Sequence, residues 1–301
     1  VSGLAAGVDV QLTNSVNSRD ANTLTISLAD ASGSADNLTV ITAGTSGHGT
    51  DNNMDDIAIS DIETLTINSI FAGATAMTAT EFNVIDDISA DTSLTKIVVT
   101  GTEKTNITVG AEATNLASID ASALGDGLTV DVSALTSNTT ITGTGGNDTF
   151  TVGTTLTNAD SFDGGSQGTA ATDGDTLTAT IAGLTAESGA LSIANVEDIR
   201  LDTATSASLV NAAGITGSGS TVAFASGQNV TISNLAPGVK VGLGFGAAAA
   251  TDDYTGTLTA SLADETGSAD SITFELTDQA ANNAINATLA TASTTLESAT
   301  I

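Results

Sequence analysis

The chain has 301 residues, with 35 acidic side chains against 5 basic ones and a formal net charge of −30. Such a charge argues against nucleic acid and anionic membrane surfaces as partners, because both would repel it. With no Cys there is no disulfide, thiolate chemistry or Cys-based metal site, and no apolar run approaches the roughly 18 residues of a membrane span.

Acidic chains are usually disordered when they are also poor in apolar residues. Here 40% of residues are hydrophobic and the mean hydropathy is +0.21. The apolar set is Val, Ile, Leu and Ala, with seven Phe, one Tyr and no Trp. That suits many thin strands, each burying a narrow aliphatic row, and not one thick aromatic core. The charge opposes compaction unless counter-ions bind, and hard oxygen ligands favour calcium.

The first element of note, in chain order, is residues 27–40, SLADASGSADNLTV, which return at 261–274 as SLADETGSADSITF. Asp30 and Asp264 are 234 positions apart, as are Asp36 and Asp270. Upstream, Leu4 to Val8 face Leu235 to Val239 at an offset of 231. Residues 1–67 and 232–301 are therefore read as copies of one unit. The second copy stops at Ile301 inside a strand-like motif, so the expectation is a window from a longer protein.

Next comes Asp61-Ile62-Glu63-Thr64-Leu65-Thr66-Ile67, whose pattern recurs at Asn195-Val196-Glu197-Asp198-Ile199-Arg200-Leu201 and at 296–301. The alternation is that of a strand with one buried face. Residues 78–88 (TATEFNVIDDI) are read as a helix candidate. Alternating runs follow at 94–100, 106–109, 128–132, 139–142, 149–152, 177–181, 222–224, 230–232 and 239–243, separated by Gly, Asn, Asp and Ser in turn-like clusters. Residues 277–292, rich in Ala, are a second helix candidate.

Strands this short and frequent cannot each bury a core, so neighbours must stack. The predicted fold is all-β, built of β-strand repeats as parallel β-solenoid or β-roll-like rungs, with β-sandwich-like modules as the alternative and little helix. The predicted segments are 1–70, 71–153, 154–231 and 232–301.

Between two of these runs, residues 143–151 read GTGGNDTFT. Gly143, Gly146, Asp148 and Phe150 match the calcium-binding β-roll nonapeptide, while Thr144 replaces its second Gly. Glycines let such a loop turn tightly and aim carbonyls at an ion. The Asp supplies charge, and the apolar residue anchors the strand. Gly143, Gly145, Asn147 and Asp148 are the candidate ligands here. Degenerate relatives place Asp36, Asp270, Asp163, Asp173 and Asp175 in comparable turns. The bland alternative is that these carboxylates cap turns by bonding their own backbone.

Catalysis finds little support. The single histidine, His48, lies in a Gly-rich stretch, and aromatics for a carbohydrate site are scarce. The expectation is a non-enzymatic structural protein.

The segment from Lys96 to Gly101, the runs Ile107-Thr108-Val109 and Ser118 to Leu124, the Glu-Thr-Leu-Thr-Ile motif and the GTGGNDTF turn resemble the repetitive C-terminal region of Gram-negative surface-layer proteins of the Caulobacter type. The resemblance implies type I secretion, an extracellular location on the cell surface, folding when Ca2+ binds between strand turns, and self-assembly with copies of itself into a lattice. It also implies contact with cell-surface polysaccharide through another region, and it carries over the ligands named above. This chain lacks a run of consecutive perfect nonapeptides, which favours scattered ions over a regular ladder. The alternatives are the repeat stalk of a type I-secreted adhesin or filament, and the non-catalytic carrier region of a secreted hydrolase.

Overall fold

A computed structural model describes all residues except 6, 15–22, 31, 46–50, 74–80, 155, 167–173, 181–188, 203–207, 217–219, 225–228, 244–255, 265–269, 277–287, 292–297 and 301. The chain divides into two compact units, Val1–Thr151 with Gly164–Asp173, and Val152–Asp163 with Gly174–Ile301. The copies seen in the sequence fall in different units.

The first unit contains β1 (Asp9–Asn14), β2 (Thr23–Ile26), β3 (Asn37–Gly44), β4 (Asn52–Asn53), β5 (Asp56–Ile59), β6 (Thr64–Phe71), β7 (Asn83–Ala90), β8 (Lys96–Gly101), β9 (Thr105–Val109), β10 (Ser118–Leu124), β11 (Leu128–Asp131), β12 (Thr140–Thr142) and β13 (Thr149–Val152). Strands β1, β3, β6, β8, β10 and β12 lie side by side in one sheet. Strands β2, β5, β7, β9, β11 and β13 form the other, with β4 also against β7. Apart from β4 and β5, which both pair β7, successive strands alternate between the two sheets. All the pairings are parallel, as in a β-coil and unlike an antiparallel sandwich.

Alternation decides which residues fill the coil. In β6, Leu65 and Ile67 are fully buried while Thr64 and Thr66 face outward. Strand registers then stack like on like. Leu38, Leu65, Ile97, Ile119 and Ile141 align across five neighbouring strands, each at most 1% exposed. In the facing sheet, Ile85, Ile107, Val130 and Phe150 do the same. Each such side chain contributes roughly 1.5–3 kcal/mol of burial, which is how small aliphatics hold an acidic chain together.

One part of the interior is polar. Asn52, Asn83 and Thr105 are in register and buried. Asn83 donates its Nδ2 protons to the Thr42 carbonyl (3.1 Å), Ser69 Oγ (2.9 Å) and the Ile70 carbonyl (3.1 Å), tying the second sheet to the first through the core.

The second unit contains β14 (Ser161–Asp163), β15 (Thr176–Thr180), β16 (Ser192–Ala194), β17 (Asp198–Asp202), β18 (Ser208–Asn211), β19 (Ile215–Thr216), β20 (Thr221–Phe224), β21 (Val230–Leu235), β22 (Lys240–Leu243), β23 (Thr257–Leu262), β24 (Ser271–Leu276), β25 (Thr288–Thr291) and β26 (Ser298–Thr300). It also coils in parallel, and Leu177, Ile199, Val222, Val241 and Phe274 stack as its apolar ladder. Between β16 and β21 each circuit has three strands, since β16 pairs β19, β17 pairs β20 and β18 pairs β21. Beyond them the circuit has two strands among the described residues.

At several described positions the two sequence copies pair alike. Val10 pairs Val40, and their counterparts Val241 and Phe274 pair. Asn37 pairs Thr64, and Ser271 pairs Ser298. Ala29 donates its amide to the Leu4 carbonyl at 2.7 Å, and Ala263 donates to Leu235 at 3.0 Å. Even the turn is repeated: Gly7 and Gly238 have φ of 80° and 87°, a left-handed conformation that glycine adopts without steric cost.

Neither helix candidate is helical where it is described. Residues 83–88 lie in β7, where the register shifts between Ile85 and Ile88. The irregularity places Asp86 and Asp87 between two inward residues, so apolar side chains fall three apart and imitate helical spacing. In the second candidate, 277–287 lie outside the described residues, while Thr288–Thr291 is strand β25 against β23.

Candidate cation-binding loops

The loop with the nonapeptide pattern joins β12 to β13. Phe150 is fully buried, the anchoring role its place in the pattern predicts. Asp148 is also at 0% exposure. Its Oδ1 accepts from the Leu128 amide at 2.6 Å and from Thr144 Oγ1 at 3.0 Å, and its Oδ2 accepts from the Thr144 amide at 2.7 Å. The carboxylate therefore pins its own turn to the neighbouring rung. Thr144, the departure from the pattern, supplies two of these donors. Gly143 is required here, because a Cβ would overlap Asp148 Oδ2 and come within 2.9 Å of the Gly164 carbonyl. Gly145 and Asn147 are exposed.

Asp36 and Asp175 share another arrangement. Each sits one residue before a strand, β3 or β15. The Asp36 amide donates to Glu63 Oε2 at 2.6 Å, and the Asp175 amide donates to Glu197 Oε2 at 2.9 Å. In return the Asp36 carbonyl accepts the amides of Glu63 and Thr64, and the Asp175 carbonyl accepts that of Asp198. Glu63 and Glu197 are the glutamates of the repeated apolar-Glu motif. Two residues before each, Asp61 and Asn195 have φ of 56° and 54°, which Asp and Asn tolerate better than most residues. The motif is thus a corner: a left-handed residue, a buried apolar one (Ile62 or Val196, each 1% exposed), then a carboxylate against an Asp one rung back. The glutamates were visible in the sequence as part of a strand pattern, and their pairing with Asp becomes visible only once the rungs stack.

Of the remaining candidates, Asp163 accepts from Asn195 Nδ2 at 2.8 Å. Asp270, half-buried, directly precedes β24, in the position Asp36 occupies before β3. Asp173 lies outside the described residues. The structure does not gather these positions at one point. Among the described residues, no group of three or more His, Asp or Glu side chains is placed to hold a metal ion.

Elsewhere Asp serves turns. Asp30, Asp91, Asp120 and Asp131 each accept the amide of the Ser two residues on, at 2.8–3.2 Å, an Asp-x-Ser signature of side-chain-closed turns. For Asp120, the Ser122 hydroxyl chiefly holds the carboxyl below its ordinary value; the Ser122 amide and Lys96 add to this against the effect of burial. For Asp91, burial pushes upward, but hydrogen bonds from Ser93 and the Asp61 amide outweigh it and the carboxyl is lowered.

Asp87 behaves oppositely. Burial, then the charges of Asp56 and Glu112, hold its carboxyl above the ordinary value. Asp56 is its register partner on β5. Glu112 approaches from the turn after β9, so that a Cβ on Gly110 would lie 2.9 Å from Glu112 Oε2 and 3.2 Å from Asp87 Oδ1. The sequence reading missed this acidic edge, because its three members are 31 and 25 positions apart in the chain.

No family model matches this chain, and no curated protein or solved structure matches it either.

Proposed function

We propose that this chain is a non-catalytic structural module of an extracellular, surface-exposed assembly, and that calcium neutralises its acidic rung edges. The observation that carries the reading is the recurrence of parallel strand pairings 231 to 234 positions apart, Val10–Val40 as Val241–Phe274 and Asn37–Thr64 as Ser271–Ser298. A coil that repeats its own build can be lengthened without a new core, which is what a scaffold requires. A surface-layer subunit, assembling with copies of itself and held to cell-surface polysaccharide through another region, is the leading form. The same recurrence also favours the stalk of a secreted adhesin as a second reading.

Calcium enters through like charge. The charges of Asp56, its register partner, and of Glu112 act with burial to hold the Asp87 carboxyl above its ordinary value, so like charges repel here in the absence of a counter-ion. With no three-carboxylate cage among the described residues, ions would draw their remaining ligands from backbone carbonyls and water. Asp148, already held by three donors, acts as a turn cap in this scheme.

Thermal unfolding and light scattering of the full chain, in millimolar calcium and in excess chelator, test the proposal. Calcium is expected to raise Tm and promote assembly, since an ion that binds only the folded state stabilises it by mass action. Identical melting and identical assembly in both conditions would sink it.

A further inference from the structure

Asp126 and Gly127 lie in the turn that leads from β10 into β11, and the Gly127 amide donates to Asp126 Oδ1 at 2.8 Å. The turn-closing carboxylates of Asp30, Asp91, Asp120 and Asp131 reach the amide two residues on. At Asp126 the side chain instead folds back onto the peptide bond that directly follows it. Three peptide bonds of the chain join Asp to Gly, after residues 126, 163 and 173. Asp163 Oδ1 accepts from Asn195 Nδ2 of a neighbouring rung, and Asp173 lies outside the described residues.

The pair is flanked by glycine. Gly146 of the following rung faces it, and a Cβ there would lie 3.2 Å from the Gly127 nitrogen and 3.6 Å from Asp126 Oδ1. Asp126 itself is half-buried, so its carboxyl is partly open to water. The same turn holds rungs together. The Gly127 carbonyl accepts the Thr105 amide at 3.2 Å, and the Leu128 amide donates to Asp148 Oδ1 at 2.6 Å. A Cβ on Gly127 would overlap the Asn147 carbonyl oxygen, so the backbones of two rungs approach closely here.

We infer that Asp126-Gly127 is a site of spontaneous covalent modification, at which aspartate isomerises to isoaspartate and loosens β11 from the rungs on both sides. The Gly127 nitrogen bonds to Asp126 Cγ and gives up its proton. The Cγ–OH bond of the neutral carboxyl breaks and water leaves, closing a five-membered succinimide. Water then adds to one of the two ring carbonyls. At Cγ it restores Asp126. At the main-chain carbonyl carbon it breaks the bond to the Gly127 nitrogen, and the chain thereafter runs through Cγ beside a free α-carboxylate. The water lost is the water regained, and no other reactant is consumed. Contact between the reacting groups favours such a ring closure, and glycine leaves the nitrogen unhindered and its dihedrals free. The new linkage adds a main-chain atom just where Gly127 and Leu128 must meet Thr105 and Asp148, so those two hydrogen bonds are lost. The inference does not depend on calcium or on the surface-layer reading.

The test incubates the folded full chain for weeks in mildly acidic buffer made with heavy-oxygen water. A protease that cuts before Asp but not before isoaspartate then leaves residues 120–130 joined wherever position 126 has isomerised, and electron-transfer fragmentation places the linkage. Isoaspartate is expected to form at 126 at least about fivefold faster than at 163, with heavy oxygen taken up at the converted residue. In denaturant the two Asp-Gly sites are expected to convert at similar rates, since the fold no longer sets them apart. In the converted fraction, amide exchange at Thr105 and Leu128 is expected to quicken by about tenfold or more. Conversion at 126 no faster than at 163 overturns the inference. So does a preference for 126 that persists unchanged in denaturant, or conversion that leaves exchange at both amides as it was.

Discussion

The amide of Asp36 points at the carboxylate of Glu63, 2.6 Å away and one rung further along the coil. Asp175 and Glu197 repeat the relationship in the second unit at 2.9 Å. Removing the acceptor leaves a part-buried amide without its charged partner. Glu63→Ala is expected to cost about 1.5–3 kcal/mol, while Glu63→Gln, which keeps an oxygen in place, costs less. Urea unfolding midpoints of the two variants check this, and equal midpoints would show that the corner is held by backbone pairing alone.

Asp87 sets a pH dependence of its own sign. Its folded carboxyl is raised above 3.8 by burial and by Asp56 and Glu112, so the folded chain holds this proton more tightly than the unfolded one. Its contribution is favourable at low pH and is lost as pH rises from the ordinary value through the raised one. Asp87→Asn is therefore expected to raise Tm at neutral pH, with the gain fading as pH falls to about 4. Asp120, whose carboxyl is lowered, contributes above its ordinary value and loses that contribution as pH falls through the lowered one. Asp120→Asn should lower Tm at neutral pH. Melting curves of both variants across pH 3 to 7 read the two signs directly.

Two glycines separate backbone strain from steric overlap. Gly7 has φ of 80° and open space where a Cβ would be. Gly101 has φ of 114°, and a Cβ there would run into the Ser69 carbonyl oxygen. Gly7→Ala should cost about 1 kcal/mol, the conformational penalty alone. Gly101→Ala should cost more than about 3 kcal/mol, because backbone of the neighbouring strand must move. Denaturant midpoints rank them, and a similar cost for both would contradict the close approach at Gly101.

The aliphatic ladder makes a comparable contrast. Ile119 stacks between Ile97 and Ile141, and all three are at 0% exposure. Ile119→Ala is expected to cost about 2–5 kcal/mol, from lost burial and an unfilled space between two rungs. Thr142, on the half-exposed face of β12, should tolerate Ala within about 0.5 kcal/mol.

The strands were legible because a period of two is local. Thr64-Leu65-Thr66-Ile67 states by itself which side chains turn inward. The repeat was legible because 27–40 and 261–274 share nine of fourteen residues, and the pairs Val10–Val40 and Asn37–Thr64 recur as Val241–Phe274 and Ser271–Ser298, as does the φ of Gly7 at Gly238. The helix reading of 78–88 failed in the described part of that stretch, since the register shift in β7 changes the spacing of inward residues and a pattern in one strand cannot reveal which residues its neighbour skips.

Sequence alone therefore determined the all-β class, the alternation, the copies and the excess of carboxylates. The tertiary structure decided what each carboxylate meets. Asp148 turned inward to the Leu128 amide, Asp36 met Glu63, and Asp56, Asp87 and Glu112 came together from three separate rungs. These partners lie some 20 to 30 positions apart, at distances set by how many residues each turn inserts between strands. The inward or outward side of a residue is fixed by its neighbours in the chain, but its partner one rung away is fixed by register, and register exists only when the rungs have stacked.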